Sequence, residues 1–281
     1  MRDIKGSKRC DRSGKVPGGR RCGRRKTEGS DVTAEVLIYL FAGALAGGFI
    51  NGLAGFGTAL LALGFWLQVL PPGQAVSMSV VMSVISGLQG VWIVRREISA
   101  NRVRLLRFLL PALPGIPLGA MVLAMISAPV LKLTIAAMMI LYGAFFSFRR
   151  ALPAIRRPTP LVDSSVGFLG GLLGGAAGLS GALPTMWCAM RPWSKAETRA
   201  VLQPYNVVVL ALAMLTFALQ GQYTRETLWL TALALPATLI GAQIGINVYR
   251  RLSDARFRRL LIVLLFASGL LIVLKELPAL L

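Results

Sequence analysis

Two short runs of the chain hold the residue types that could do chemistry with an ion. The first reads Asn51-Gly52-Leu53-Ala54-Gly55-Phe56-Gly57-Thr58, and the second Gly174-Gly175-Ala176-Ala177-Gly178-Leu179-Ser180-Gly181, with Pro184 close behind. Each interrupts a long apolar stretch. Glycine lets backbone leave helical geometry, and non-helical backbone at membrane depth survives only where protein buries it or where it lines a cavity. A half-helix that starts at such a break presents unpaired N–H groups and the positive end of its dipole. Thr58 and Ser180 add hydroxyl donors. The chemistry this favours is capture of a small anion by Gly55, Gly57, Thr58, Gly178, Ser180 and Gly181, with no full positive charge placed in the membrane. Gln203, Asn206 and Gln243 stand in later apolar segments; such side chains are costly to bury, and we expect them to line the path of the anion. The upstream glycines have a plainer use: Gly43/Gly47, Gly48/Gly52, Gly170/Gly174 and Gly171/Gly175 fit G-x-x-x-G, the spacing that brings membrane helices into close contact.

Other chemistries are excluded. Gly178-Leu179-Ser180-Gly181 also matches the G-x-S-G of rhomboid-type intramembrane proteases, but such a serine needs a histidine base, and the chain has no histidine. That absence also removes histidine triads, proton shuttles and histidine-rich metal sites. Cys10, Cys22 and Cys188 are placed for neither a zinc ribbon nor a disulfide framework. No G-x-x-x-x-G-K-[ST] phosphate loop occurs. No enzymatic activity, metal or cofactor is expected. No Asp or Glu falls inside an apolar segment, Glu35 and Asp163 sitting at edges. Proton-driven transporters often relay through buried acids. Coupling here would need a protonated substrate, a cation held by backbone carbonyls, or no coupling at all.

The elements that must carry these residues are membrane helices. Of 281 residues, 55% are hydrophobic and only 15% charged, against roughly 25% charged in soluble domains; the mean hydropathy is +0.67. Val36–Val94 contains no Lys, Arg, Asp or Glu, and about 20 apolar residues span a bilayer. The chain therefore reads as an all-α polytopic membrane protein whose first partner is the lipid bilayer. A net charge of +20 could suit a nucleic-acid binder, but its location argues otherwise. Residues 1–31 carry 11 Lys/Arg against 4 Asp/Glu, and the remaining excess lies in loops between apolar segments, as positive-inside anchoring requires. Residues 1–31 have the composition of a disordered tail; a second reading has translation begin near Val32.

The chain repeats itself. A shift of 123 superposes Gly47, Gly48, Gly52 and Gly55 on Gly170, Gly171, Gly175 and Gly178, and a shift of 126 superposes Gly115, Gly119 and Gly143 on Gly241, Gly245 and Gly269. Two homologous halves result, 32–150 and 160–281. Each opens with a Gly-broken segment (36–70 and 161–190) and continues with three helices, 73–94, 105–126 and 129–148 in the first half and 199–219, 227–249 and 256–275 in the second. That makes about eight membrane segments. The basic patches are 95–107, 149–157, 250–259 and the set Arg191, Lys195 and Arg199. Placing all four in the cytoplasm makes 161–190 re-entrant and the halves inverted, a common transporter architecture. Segment 36–70 either re-enters as well, with the amino terminus outside, or crosses once with the tail inside.

At these residues the chain resembles the sulfite exporter TauE/SafE family of membrane permeases. Gly55-Phe56-Gly57 followed by Pro71-Pro72-Gly73-Gln74-Ala75 is similar to that family's opening glycine motif and the start of its second helix. Gly178-Leu179-Ser180-Gly181-Ala182-Leu183-Pro184 and Lys195-Ala196-Glu197-Thr198-Arg199-Ala200-Val201-Leu202 are the counterparts in the second half. The resemblance covers about 32–275. It departs where many members carry three consecutive glycines and this chain has Gly55-Phe56-Gly57-Thr58. It implies a multi-pass protein of the plasma (inner) membrane that moves sulfite, organosulfonates or related small organic anions. The rival reading is a non-transporting membrane subunit or scaffold for another protein.

Overall fold

The computed structural model describes residues 34–126 and 155–251, with 130, 133–135, 137–138, 140–141 and 144–145 between them. The expected tail 1–31, the helix 256–275 and much of the helix 129–148 lie outside the described residues, so the expectation of eight segments goes beyond them. Every regular element among the described residues is α-helical: α1 (Ala34–Ala54), α2 (Thr58–Trp66), α3 (Pro72–Ile93), α4 (Arg95–Ala100), α5 (Arg102–Met125), α6 (Pro160–Ala177), α7 (Ala182–Ala189), α8 (Lys195–Leu219) and α9 (Arg225–Arg251). Five stretches are long and apolar enough to cross a bilayer: α1, α3, Arg102–Leu123 of α5, Ala196–Leu219 of α8, and α9. The protein is a polytopic helical membrane protein. The described residues from Val36 onward belong to one compact unit.

Local chemistry sets the helix ends. α1 stops at Ala54 because Gly55 and Gly57 take φ values of 84° and 95°, a left-handed region that glycine enters without a steric penalty. Pro72 opens α3, where a missing N–H costs nothing. Ser194 and Glu197 form a reciprocal capping box, each side chain bonded to the other's backbone N–H, so α8 starts at Lys195 rather than at 199. The stretch 95–107, expected as a loop, is instead almost wholly helical. α4 and the first turns of α5 occupy it, joined at Asn101, whose N–H bonds the carbonyls of Glu97 and Ile98. Its arginines favour helix, and Arg95 lies 4.1 Å over the Trp92 ring.

After each break the chain turns back. α2 runs antiparallel to α1 and delivers the Trp66 indole N–H to the carbonyl of Leu40 at 3.1 Å. α7 runs back along α6 and delivers the Trp187 indole N–H to the Asp163 carboxylate at 2.6 Å. Leu40 and Asp163 are 123 positions apart, so both hairpins close at matching places.

Each hairpin's first helix then packs on another long helix, α1 on the distant α9 and α6 on the preceding α5. The carbonyls of Thr238 and Ala242 on α9 sit against Gly48 and Gly52 of α1, while the carbonyls of Leu45 and Phe49 sit against Gly241 and Gly245. The same exchange joins α6 to α5: the carbonyls of Phe108, Ala112 and Ile116 rest on Gly167, Gly171 and Gly175, and those of Phe168 and Leu172 on Gly115 and Gly119. At every one of these glycines a Cβ would collide with backbone. The other glycine rows, Gly43/Gly47 and Gly170/Gly174, face the returning half of their own hairpin or α8: Trp66 covers Gly43, and Pro184 and Tyr205 cover Gly170. Between the hairpins, α3 and α8 cross antiparallel, with Gly87 on Val207 and Gly90 on Gln203.

These contacts make a size-dependent prediction. Gly171→Val should cost about 1–3 kcal/mol or more, since the new branched side chain has a carbonyl rather than a flexible side chain in its way. Leu169→Val on an exposed part of the same helix should stay within about 0.5 kcal/mol. Unfolding midpoints of the purified variants in detergent would decide; equal effects would mean that the α5–α6 contact is not tight.

Candidate functional site

The first break is built around the carboxamide of Gln203. Gly55 and Gly90 lie directly against it, and neither leaves room for a side chain there. Gln203 Nε2 donates to the Gly87 carbonyl at 3.1 Å, and its Oε1 accepts from Arg199 Nε at 3.3 Å. The Arg199 guanidinium also donates to the Gly52 carbonyl at 3.3 Å, in the last turn of α1, and stacks 4.6 Å from the Tyr249 ring. On the other side of Gly87, Asn51 Nδ2 donates to Ser86 Oγ at 2.6 Å and to the Ser83 carbonyl at 3.4 Å. Asn51 Oδ1 and the Thr58 hydroxyl are buried without a partner.

The second break is closed by its own backbone. Gly178, at φ 69°, takes the left-handed place that ends α6, with Gly178 N bonded to the Gly174 carbonyl, the 5→1 bond of a left-handed glycine stop, and Leu179 N reaching back to the Leu173 carbonyl. Ser180, fully buried, donates its hydroxyl hydrogen to Asn206 Oδ1, and Asn206 Nδ2 is buried with no acceptor. The serines of α3 return their hydroxyls to its backbone: Ser79 to Val76, Ser83 to Ser79 and Ser86 to Met82.

The two breaks meet. The Phe56 side chain lies on Gly181, and Gly178 faces Ala59 of α2 and Ser79 of α3. The amino-terminal ends of α2 and α7 thus converge, and neither Gly57 nor Gly181 caps its helix with a side chain. Of the residues expected to hold an anion, Gly55 joins Gln203, and Gly178, Ser180 and Asn206 form the second group with Gly181 against Phe56. Thr58 is buried in the first turn of α2. Gly57 sets a backbone angle and touches Ile50 and Leu60. Gln243 is not brought to the cluster: it is exposed on α9 and bonds Asn247 at 3.4 Å, because the opposite, glycine-bearing face of α9 is the one turned to α1.

The basic set Arg191, Lys195 and Arg199 also needs correction. Arg191 and Arg199 are each only 6% exposed. Arg191 pairs with Asp163 at 3.0 Å, bonds the carbonyls of Ile155 and Arg157 and the Thr159 hydroxyl, and stacks on Trp187. Asp163, expected at a segment edge, is therefore a buried partner that closes the second hairpin. Arg199 turns inward to the first break. A signal for this was present: Arg199 and Gln203 are four apart in a helix and share one face.

A family model described as sulfite exporter TauE/SafE matches residues 39–272, a range that includes both breaks and the helices that carry their partners. The chain belongs to the TauE/SafE family. The family is one of membrane permeases. No curated protein and no solved structure matches the chain.

The Asp163–Arg191 pair is open to a direct test. Asp163→Ala leaves a buried cation without its partner and should cost about 3–5 kcal/mol, and adding Arg191→Met should recover most of that loss. Equilibrium unfolding in detergent measures both. A double variant no better than the single one would rule out the pair as the closure of the hairpin.

Proposed function

We propose that the protein is a permease of the plasma membrane for small oxyanions of the sulfite and organosulfonate class, with its binding site where the two breaks meet. The observation that carries this reading is the convergence of the α2 and α7 amino-terminal ends at Phe56 and Gly181. Unpaired N–H groups at helix starts favour anions. Thr58 and the unsatisfied Asn206 Nδ2 supply further donors around the same place, and Ser180 joins them by turning its hydroxyl from Asn206 Oδ1 to the anion. Sulfur oxyanions have several acceptor oxygens, which suits a donor-rich site.

The architecture that goes with this reading is a pair of inverted repeats, 32–150 and 160–281, each opening with a re-entrant hairpin. Two features support it. Both hairpins fold back and close at positions 123 apart, and α3 and α8, the matching helices, run antiparallel. In such a frame the hairpins approach the bilayer centre from opposite faces, and the site lies at their tips.

Reconstituted protein should carry sulfite or a sulfonate saturably into liposomes. Ser180→Ala should raise the half-saturating concentration about tenfold, by loss of one hydrogen bond to an anion. Ser180→Leu, placed in a fully buried position, should abolish flux while folded protein remains abundant. Normal transport by Ser180→Leu would move the site elsewhere. A folded wild-type protein with no flux of any sulfur oxyanion or carboxylate would favour a scaffold.

A further inference from the structure

Only three of the described charged side chains are buried: Asp163, Arg191 and Arg199. The first two bond each other. Arg199 bonds no carboxylate among the described residues; its neighbours are Gln203 on its own helix, the Gly52 carbonyl on α1, and Tyr249 and Arg250 on α9. A guanidinium on a long stem at the first turns of a helix could reach back toward water. This one points the other way, into the first break. The backbone around it does not cancel the charge. The carboxyl-terminal end of α1 carries roughly −0.5 and the amino-terminal start of α2 roughly +0.5, so the break itself sums to about zero. The second break sums the same way, and among the described residues no buried charged side chain bonds it. Among the described residues the cluster therefore holds one fixed positive charge, at one end.

We propose that Arg199 is the counter-charge of the transported anion and that it sets the substrate class as monoanions. The inference rests on the permease reading above. A monoanion beside Arg199 makes a neutral pair, whereas a dianion leaves a buried net negative charge with several kcal/mol of desolvation uncompensated. A second observation favours a protonated member of that class. Asn51 Oδ1, buried and without a donor, lies in the same cluster, since Asn51 and Gln203 flank Gly87. A singly protonated oxyanion such as hydrogensulfite has an O–H to donate to it; the fully ionised form has none.

The test uses the full chain in proteoliposomes with three probes: sulfite, which titrates between hydrogensulfite and the dianion; methanesulfonate, which stays a monoanion; and sulfate, a dianion. Wild-type protein should carry methanesulfonate at a rate indifferent to pH, carry sulfite faster on the acid side of neutrality than on the alkaline side, and carry sulfate poorly. Arg199→Gln should lower monoanion flux about thirtyfold or more, and Arg199→Lys, which keeps the charge, should recover part of it. In detergent, methanesulfonate should raise the unfolding midpoint of the wild type and not of Arg199→Gln, whose own midpoint should not fall. Wild-type rates in Arg199→Gln, or a lowered midpoint without anion, would overturn the counter-charge role and leave the permease standing. Equal transport of sulfate and methanesulfonate would overturn monoanion selection. A wild type inert to all three probes would sink the permease reading and this inference with it.

Discussion

Everything in this molecule depends on backbone meeting backbone at glycine. In lipid there is no hydrophobic force to press one helix on another, so association rests on close packing and on the hydrogen bonds that it allows. The α1–α9 and α5–α6 contacts take that to its limit, with carbonyl oxygens resting on the Cα atoms of Gly48, Gly52, Gly171 and Gly175 in one direction and of Gly241, Gly245, Gly115 and Gly119 in the other. Such approaches permit weak Cα–H···O contacts along the whole seam. They also fix the depth of each hairpin relative to its partner helix. Move α1 by one turn along α9 and Gly55 no longer reaches Gln203; move α6 along α5 and Ser180 loses Asn206.

The polar interior is consistent with that rigidity. Most buried hydroxyls and amides have partners on helices held by the seams: Tyr205 on the Gly167 carbonyl, Thr238 on the Ala234 carbonyl, Asn51 on Ser86. Most of the exceptions among the described residues gather near the breaks or α3: Thr58, Asn51, Asn206 and Thr185 each leave one atom unpaired, Ser77 and Gln89 of α3 do likewise, and Arg191 Nε stands apart at the closed end of the second hairpin. An unpaired buried polar atom is costly, and a transport site is a place where that cost is relieved whenever substrate is present. The two hairpins also differ in how they are closed. The first uses an indole bonded to a backbone carbonyl, the second an indole, a carboxylate and a guanidinium together.

Much of this was legible in the residues. Charge-free stretches mark the membrane helices, and the 123-residue offset between glycines marks the matching hairpins, because spacing and composition are properties of a helix taken alone. The limits of each break were less so: α1 keeps helical geometry through Asn51-Gly52-Leu53-Ala54, since glycine permits a bend without requiring one, and only the positive φ at Gly55 ends it. Side-chain direction was harder still. Arg199, Arg191 and Asp163 stand near segment ends, where charged residues usually meet water; the four-residue spacing of Arg199 and Gln203 is the one local hint, and nothing comparable marks Arg191 or Asp163. Gln243 failed for the opposite reason. It is polar and centrally placed in an apolar run, yet the glycines at 241 and 245 claim the inner face of α9 and leave it outside.

The seam between α1 and α9 joins residues far apart in the order of synthesis. Gly48 waits for Thr238, some 190 positions later, which at about 5–20 residues per second is on the order of 10–40 s on the ribosome. During that interval the first described helix to emerge exposes a face of bare glycine backbone whose partner has not been made. The insertion machinery, or the neighbouring α2 and α3, must shelter it. The last described helix to leave the ribosome therefore completes the place of the first, and a chain cut short before α9 would leave α1 with an unfilled groove inside the membrane.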